Sequence, residues 1–184
     1  MKIILWWLTL LLTCSPCLIC QEPPKPLNAA TPKDALSLQR YYAAMLRAYK
    51  RGDAAKYRQF VSDLELPHKD AWLKQEFGPD QAAVLSKEYA QSFENFSARL
   101  VKVFGQAPTS EAEITITRVG ELSDRVSPPA GAPAPKRKIS MESYKFVLTV
   151  TPDETMEWMT SFVQVDGVLR YIGGGAFPFW EDQN

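Results

Sequence analysis

The chain predicts an α+β fold, with helices first and an antiparallel sheet after them. Three observations predict it. Apolar residues follow a helical period from Leu38 to Val103. From Glu113 onward they alternate, as strand residues do. Asp166-Gly167 then sits between two apolar runs, the signature of a two-residue hairpin. The chain shows no internal repeat. The roughly 164 residues after Cys20 suit one domain, which buries roughly 70% of its unfolded surface.

The first helix opens at Thr31-Pro32-Lys33-Asp34: Thr31 suits the cap, Pro32 the first helical position and Asp34 a box-like partner. Leu38, Tyr42, Met45 and Tyr49 then fall on one stripe, spaced 4, 3 and 4. Gly52 stops this helix, and Asp53 caps a second, expected over Ala54 to Leu64 with Tyr57, Phe60, Val61 and Leu64 inward. Arg51-Gly52-Asp53 also spells an adhesion tripeptide, but Gly52 and Asp53 already have these local roles. A short third helix follows Pro67, with Trp72, Leu73 and Phe77 as its apolar face. Gly78-Pro79-Asp80 opens a long fourth helix ending near Phe104-Gly105. Its stripe of Leu85, Tyr89, Phe93, Phe96, Leu100 and Val103, spaced 4, 4, 3, 4 and 3, is the strongest periodicity in the chain. Asn95-Phe96-Ser97 has glycosylation spacing but lies mid-helix, a chance match.

Glu113 to Leu122 reads as a strand, and Lys145 to Thr151 as another with its start as early as Ile139. Between them, 124–138 is rich in Pro and Ala and reads as a mobile loop, solvated by Lys136-Arg137-Lys138. The last strand pair, Met156 to Trp180, organises the rest. A type I′ turn at Asp166-Gly167 sets Val165 opposite Val168, Phe162 opposite Tyr171 and Ser161 opposite Ile172. One face then carries Trp158, Thr160, Phe162, Leu169 and Tyr171, and the other Met159, Val163, Val165, Val168 and Ile172. Both faces are apolar, so both are expected to be covered. Gly173-Gly174-Gly175 leads into Ala176 to Trp180 rather than into a helix, so it reads as a flexible strand exit and not a phosphate loop.

Met1 to Cys20 has the form of a secretory signal: Lys2, the apolar run Ile3 to Leu12, and Pro16 before the cleavage region. The run is too short to span a bilayer comfortably. Cleavage is expected after Cys20, with Leu18 and Cys20 at the −3 and −1 positions. A Pro-rich disordered tether, 21–33, then precedes a domain over 34–182. Lipoprotein processing is the rival, and Leu11-Leu12-Thr13-Cys14 is its nearest match. All three cysteines, Cys14, Cys17 and Cys20, lie in this segment, so the exported chain has no disulfide and no thiolate chemistry. Taking Lys2 from 21 basic residues leaves 20 against 21 acidic ones, a net charge of −1. That balance gives no electrostatic case for nucleic acid or an anionic membrane.

Three helices, a long helix and an antiparallel meander closed by an aromatic hairpin resemble the nuclear-transport-factor-2-like, or SnoaL-like, superfamily. Two stretches carry the resemblance. Tyr41-Tyr42-Ala43-Ala44 through Arg51-Gly52-Asp53-Ala54-Ala55 is similar to the usual opening helix pair, and Phe162 to Ile172 to the closing hairpin. The resemblance covers about Asp34 to Phe179; the segment Pro67 to Phe77 and the Pro-rich loop depart from the compact version. It implies a strongly bent sheet wrapped around a long helix, a cone with an apolar pocket. Members include isomerases, dehydratases and cyclases as well as non-catalytic binding and assembly modules, so fold does not decide function.

Tyr42, Trp158, Phe162 and Tyr171 are the candidate pocket lining. His68 is the one histidine and hence the natural general base, but Pro67-His68-Lys69-Asp70 reads as a polar helix start. Asp153, Glu154 and Glu157 are the candidate carboxylates, beside Pro152 in turn-forming sequence. With one His and no Cys after residue 20, no metal-ligand spacing stands out, and no cofactor is expected. The expected function is an exported non-enzymatic module, periplasmic or secreted, that holds an apolar small ligand or a protein partner. The alternatives are a proton-transfer pocket enzyme and a lipid-carrying accessory protein. A homodimer through the sheet fits an apolar outer face.

Overall fold

The computed structural model describes residues 31–121 and 139–174. The signal, most of the tether, the Pro-rich loop and Gly175 to Trp180 lie outside the described residues.

Helix α1 spans Ala35–Lys50, and its cap is Asp34 rather than Thr31. The Asp34 carboxylate accepts from the Ser37 N–H at 2.7 Å, while Ser37 Oγ accepts from the Asp34 N–H at 2.9 Å. That reciprocal pair satisfies two otherwise orphaned donors. Pro32 is buried outside the helix, and its carbonyl accepts from the Leu169 N–H at 2.7 Å. Leu38, Tyr42 and Met45 are fully buried, and Tyr49 is half-buried. Gly52 (φ 72°) turns the chain, and Asp53 caps α2, Ala54–Ser62, through the Lys56 N–H at 3.0 Å. This helix stops before Leu64, because the Leu64 N–H turns back to Val61 and its carbonyl accepts from Tyr171 at 2.8 Å. The exposed tripeptide Arg51 to Asp53 is thus a helix-to-helix joint.

Helix α3 covers Lys69–Phe77 and α4 covers Pro79–Gln106. Gly78 (φ 96°) ends one and begins the other, with Pro79 in the first turn, where a missing N–H costs nothing. Leu85, Tyr89, Phe96, Leu100 and Val103 are buried as their spacing predicts, and Phe93 is half-buried.

The strands are β1 Ile114–Glu121, β2 Met141–Thr151, β3 Glu154–Val165 and β4 Val168–Gly174. They form one antiparallel sheet in sequence order. Among the described residues four helices precede four strands, so the fold is α+β. Asp166 (φ 52°) and Gly167 (φ 73°) both take positive φ, as a type I′ turn requires. Val165 pairs with Val168 and Phe162 with Tyr171. Ser161, however, faces Gly173 and not Ile172. The register shifts between Ser161 and Phe162, leaving Ile172 as the extra residue. The strand therefore continues through Gly174 where a flexible exit was expected. Similar shifts lie at Arg118/Gly120 and Thr149/Thr151. Each such irregularity bends its strand.

The inner face carries Ile114, Ile116, Tyr144, Phe146, Leu148, Phe162 and Tyr171, all buried. The outer face is divided. Thr115, Thr117, Glu157 and Met159 are exposed, and Lys145 pairs with Glu157 at 2.8 Å. Ser143, Ser161, Val163 and Ile172 are buried. Both faces of β3 are thus closed only from Thr160 to Val163.

Gly167→Ala tests the turn. Nothing lies within 4 Å of an added Cβ, so the cost is conformational alone. It should be about 1 kcal/mol, lowering Tm by about 3 °C. An unchanged Tm in thermal unfolding would contradict the type I′ assignment.

Candidate functional site

The two layers meet in an aromatic interior. Helix α1 contributes Tyr41 and Tyr42, α4 contributes Phe96 and Phe104, and the sheet contributes Tyr144, Phe146, Phe162 and Tyr171, all buried. The centre is Phe146. Its ring lies 4.7 Å from Tyr42, 5.0 Å from Trp158 in a stacked pair, and 6.3 Å from Phe162. Phe162 meets Tyr171 edge-on at 6.5 Å, and Tyr171 stacks on Phe96 at 4.2 Å. The four candidate lining residues therefore belong to one connected cluster, joined through Phe146. Tyr42, Phe162 and Tyr171 are packed into the core, and Trp158 is half-buried at its border.

The tyrosine hydroxyls divide into two groups. Tyr41 donates to the Phe60 carbonyl at 2.9 Å and to Asp63 Oδ2 at 3.3 Å. Tyr89 Oη accepts from the Leu66 N–H at 2.8 Å, and Tyr171 is bonded to Ser92. Tyr144 donates to Glu142. The hydroxyls of Tyr42 and Tyr57, by contrast, are buried without a hydrogen-bond partner among the described residues. Both rings flank Phe104, at 6.5 Å and 6.4 Å. Tyr42 is fully buried. Desolvation, reinforced by the neighbouring phenols, holds it well above the ordinary phenol range. Burial, with Tyr49 nearby, pushes Tyr57 up to about 12. Burial also raises Tyr41, Tyr89 and Tyr144, aided at Tyr41 by Asp63 and at Tyr144 by the bond to Glu142.

Glu142 and Arg118 were not among the candidates. They form an ion pair at 2.9 Å on the inner face, with Glu142 side-chain exposure of 16%. A strand beginning at Met141 puts Glu142 two residues before Tyr144 on that face, which is why they bond. The spacing was legible once the strand's start was known. Phe146 was legible as an inward strand residue, but nothing in one sequence marks it as the meeting point of three candidate residues.

The other candidates stand apart. His68 is exposed, sits in the left-handed region (φ 49°, ψ 43°), and precedes α3 without a side-chain cap. Asp153 and Glu154 are exposed at the β2–β3 turn, and Glu157 faces outward against Lys145. His68 does line a cleft of about 640 Å³ between the α2–α3 link and β4, with Asp63, Glu65, Lys69, Asp70 and Arg170. Among the described residues, no group of three or more His, Cys, Asp or Glu is placed to hold a metal, and no helix is long and apolar enough to cross a membrane. Compared with known proteins, the chain matches no family model, no curated sequence and no solved structure.

The buried phenols set an alkaline limit on stability. Unfolded tyrosines ionise near pH 10, so above that pH the unfolded chain binds fewer protons than the native one. The stabilisation is complete below pH 10 and is lost as pH rises through about 12 at Tyr57 and further for the others. Five of the 7 tyrosines should stay protonated in the folded protein at about pH 11. In an ultraviolet phenolate titration, most of the absorbance change should coincide with unfolding; a full step near pH 10 with the fold intact would refute it.

Proposed function

We propose that the protein is a non-enzymatic binding module that holds a small, mostly apolar ligand in its aromatic interior. The ligand carries one hydrogen-bonding group, which meets the Tyr42 hydroxyl. One observation carries this reading: Tyr42 Oη is fully buried and has no hydrogen-bond partner among the described residues. Leaving a buried hydroxyl unsatisfied costs about 1–3 kcal/mol, whereas Phe would pack there without that penalty. A partner from outside the chain removes the cost. The ligand reading is preferred to a protein partner because the exposed large apolar residues, Leu36, Val84, Val101 and Met159, are spread over α1, α4 and β3. The cone of the nuclear-transport-factor-2-like superfamily belongs to the same proposal, as does export. Export is supported by the signal-like segment and by the confinement of all three cysteines to it. A lipid carrier is the same reading with a longer ligand, which the mass of the bound molecule would distinguish.

A second reading, a proton-transfer enzyme, is favoured by Glu142, whose carboxylate lies between the Arg118 guanidinium and the Tyr144 hydroxyl. It needs a substrate in contact with Glu142, and a bound molecule whose affinity ignores Tyr42 but falls in Glu142→Gln would favour it.

Native mass spectrometry of the purified protein, set beside a denatured sample, should reveal a retained molecule that is lost on denaturation. Tyr42→Phe supplies the second arm. It should raise the Tm of ligand-free protein by about 3 °C or more, because it removes an unsatisfied group. It should also weaken the apolar probe N-phenyl-1-naphthylamine about fivefold, the value of one neutral hydrogen bond. No retained molecule together with no probe binding would sink the reading. So would a Tyr42→Phe protein of lower Tm, which would mean that a structural water already satisfies the hydroxyl.

A further inference from the structure

We propose that the cleft between the α2–α3 link and β4 is a second, independent binding site, which takes a carboxylate through Arg170. Three facts lead there. The cleft is open to solvent, measures about 640 Å³, and is lined by the end of α2, residues 63 and 65–68 of the link, the first turn of α3 and Arg170. Arg170 is half-buried, and its buried Nε has no hydrogen-bond partner among the described residues. Among the described residues its guanidinium forms no ion pair; its one bond is from Nη1 to the Asp63 carbonyl, a neutral acceptor.

A cation withdrawn from water without a counter-ion is costly, and its planar donor fork matches a carboxylate. The obvious internal counter-ions are turned elsewhere. The Asp63 carboxylate accepts from Gln59 at 2.6 Å and from Tyr41 at 3.3 Å. The Asp70 carboxylate accepts from Ser86. Glu65 lines the cleft without pairing to Arg170. Lys69 adds a second positive charge to the lining. The first turn of α3 also borders the cleft, and its His68 cap makes no side-chain bond to it. The backbone N–H groups there are further donors for an anion that Arg170 holds.

The charge balance ranks the anions. Asp63, Glu65 and Asp70 outnumber Arg170 and Lys69, so the lining as a whole opposes any anion, a dianion about twice as strongly as a monovalent carboxylate, and the local attraction of the guanidinium is most easily decisive for the monoanion. The site opens on the other face of β4 from the aromatic interior, since Arg170 and Tyr171 are successive strand residues and point to opposite faces; the Tyr41–Asp63 hydrogen bond joins the two regions.

The test titrates full-length protein with sodium acetate, using sodium chloride at matched ionic strength as the reference and sodium phosphate as a second anion. The readouts are the Arg170 Nε–H and the Lys69 to Ala71 amide resonances. Acetate should give a saturable shift with a Kd of about 1–30 mM, in keeping with so small a ligand. Phosphate should bind more weakly. Arg170→Gln should abolish saturation. Lys69→Gln should weaken acetate about two- to fivefold and leave the Tm unchanged. Identical, unsaturating shifts with acetate and chloride would overturn the proposal, as would tighter binding of phosphate, or unchanged acetate binding in a folded Arg170→Gln protein. Should that variant fail to fold, the Arg170 Nε–H in the wild-type protein still decides the matter.

Discussion

Phe146 is where the helical layer and the sheet are held together. Its ring meets Tyr42 from α1 and both Trp158 and Phe162 from the neighbouring strand, with no exposed surface of its own. Everything else is arranged so that these rings can meet. The capping box at Asp34 and Ser37 fixes where α1 begins, and so which side of it carries Tyr42. The β2–β3 register places Phe146 opposite Trp158. A slip of one residue in β2 would turn Tyr144, Phe146 and Leu148 toward solvent and bring Lys145 and Val147 inward. The aromatic contacts and the register therefore support one another.

How much of this was legible in the sequence depended on how local the cause was. The helix stripes, the Gly52-Asp53 joint, Pro79 in the first turn of α4 and the Asp166-Gly167 turn all follow from residues within one turn of one another, and all were readable. What failed had a distant cause. Thr31 and Pro32 look like a helix start, but Pro32 is held by Leu169 from the far end of the chain. Leu64 continues an apolar helix stripe, yet its carbonyl is held by Tyr171. Gly173 looks like a strand end but pairs with Ser161 beyond an irregularity that no spacing rule predicts. The candidate lining residues were chosen as aromatics on inward faces, and the structure gathers them. Their hydroxyl environments were not readable, because whether a phenol finds a partner depends on groups such as Phe60, Leu66 and Ser92, far away in sequence.

The interior is consequently polar in an uneven way. Tyr41, Tyr89 and Tyr171 each hold a backbone group of a helix or of a connecting segment, so their hydroxyls act as cross-links between elements. Tyr42 and Tyr57, both in ring contact with Phe104, link nothing through their hydroxyls within the described residues. Stability alone would favour Phe at both positions. The same holds for Arg170, whose guanidinium is tied to one carbonyl and has no ion-pair partner among the described residues. These are the places where the chain departs from the least costly way of filling space.

The outer edge of β4 has a consequence for assembly. The N–H groups of Leu169 and Tyr171 point away from β3, the side on which a further strand would dock. Both are already occupied, by the carbonyls of Pro32 and Leu64. These acceptors come from two separate irregular segments, so they close the edge without offering a new row of strand hydrogen bonds. Along this stretch the sheet is finished rather than extensible. A second copy of the chain, or a misfolded strand, cannot lengthen it there without first displacing the segment before α1 and the link after α2. Association of copies would have to use side chains rather than a continuous sheet along that edge.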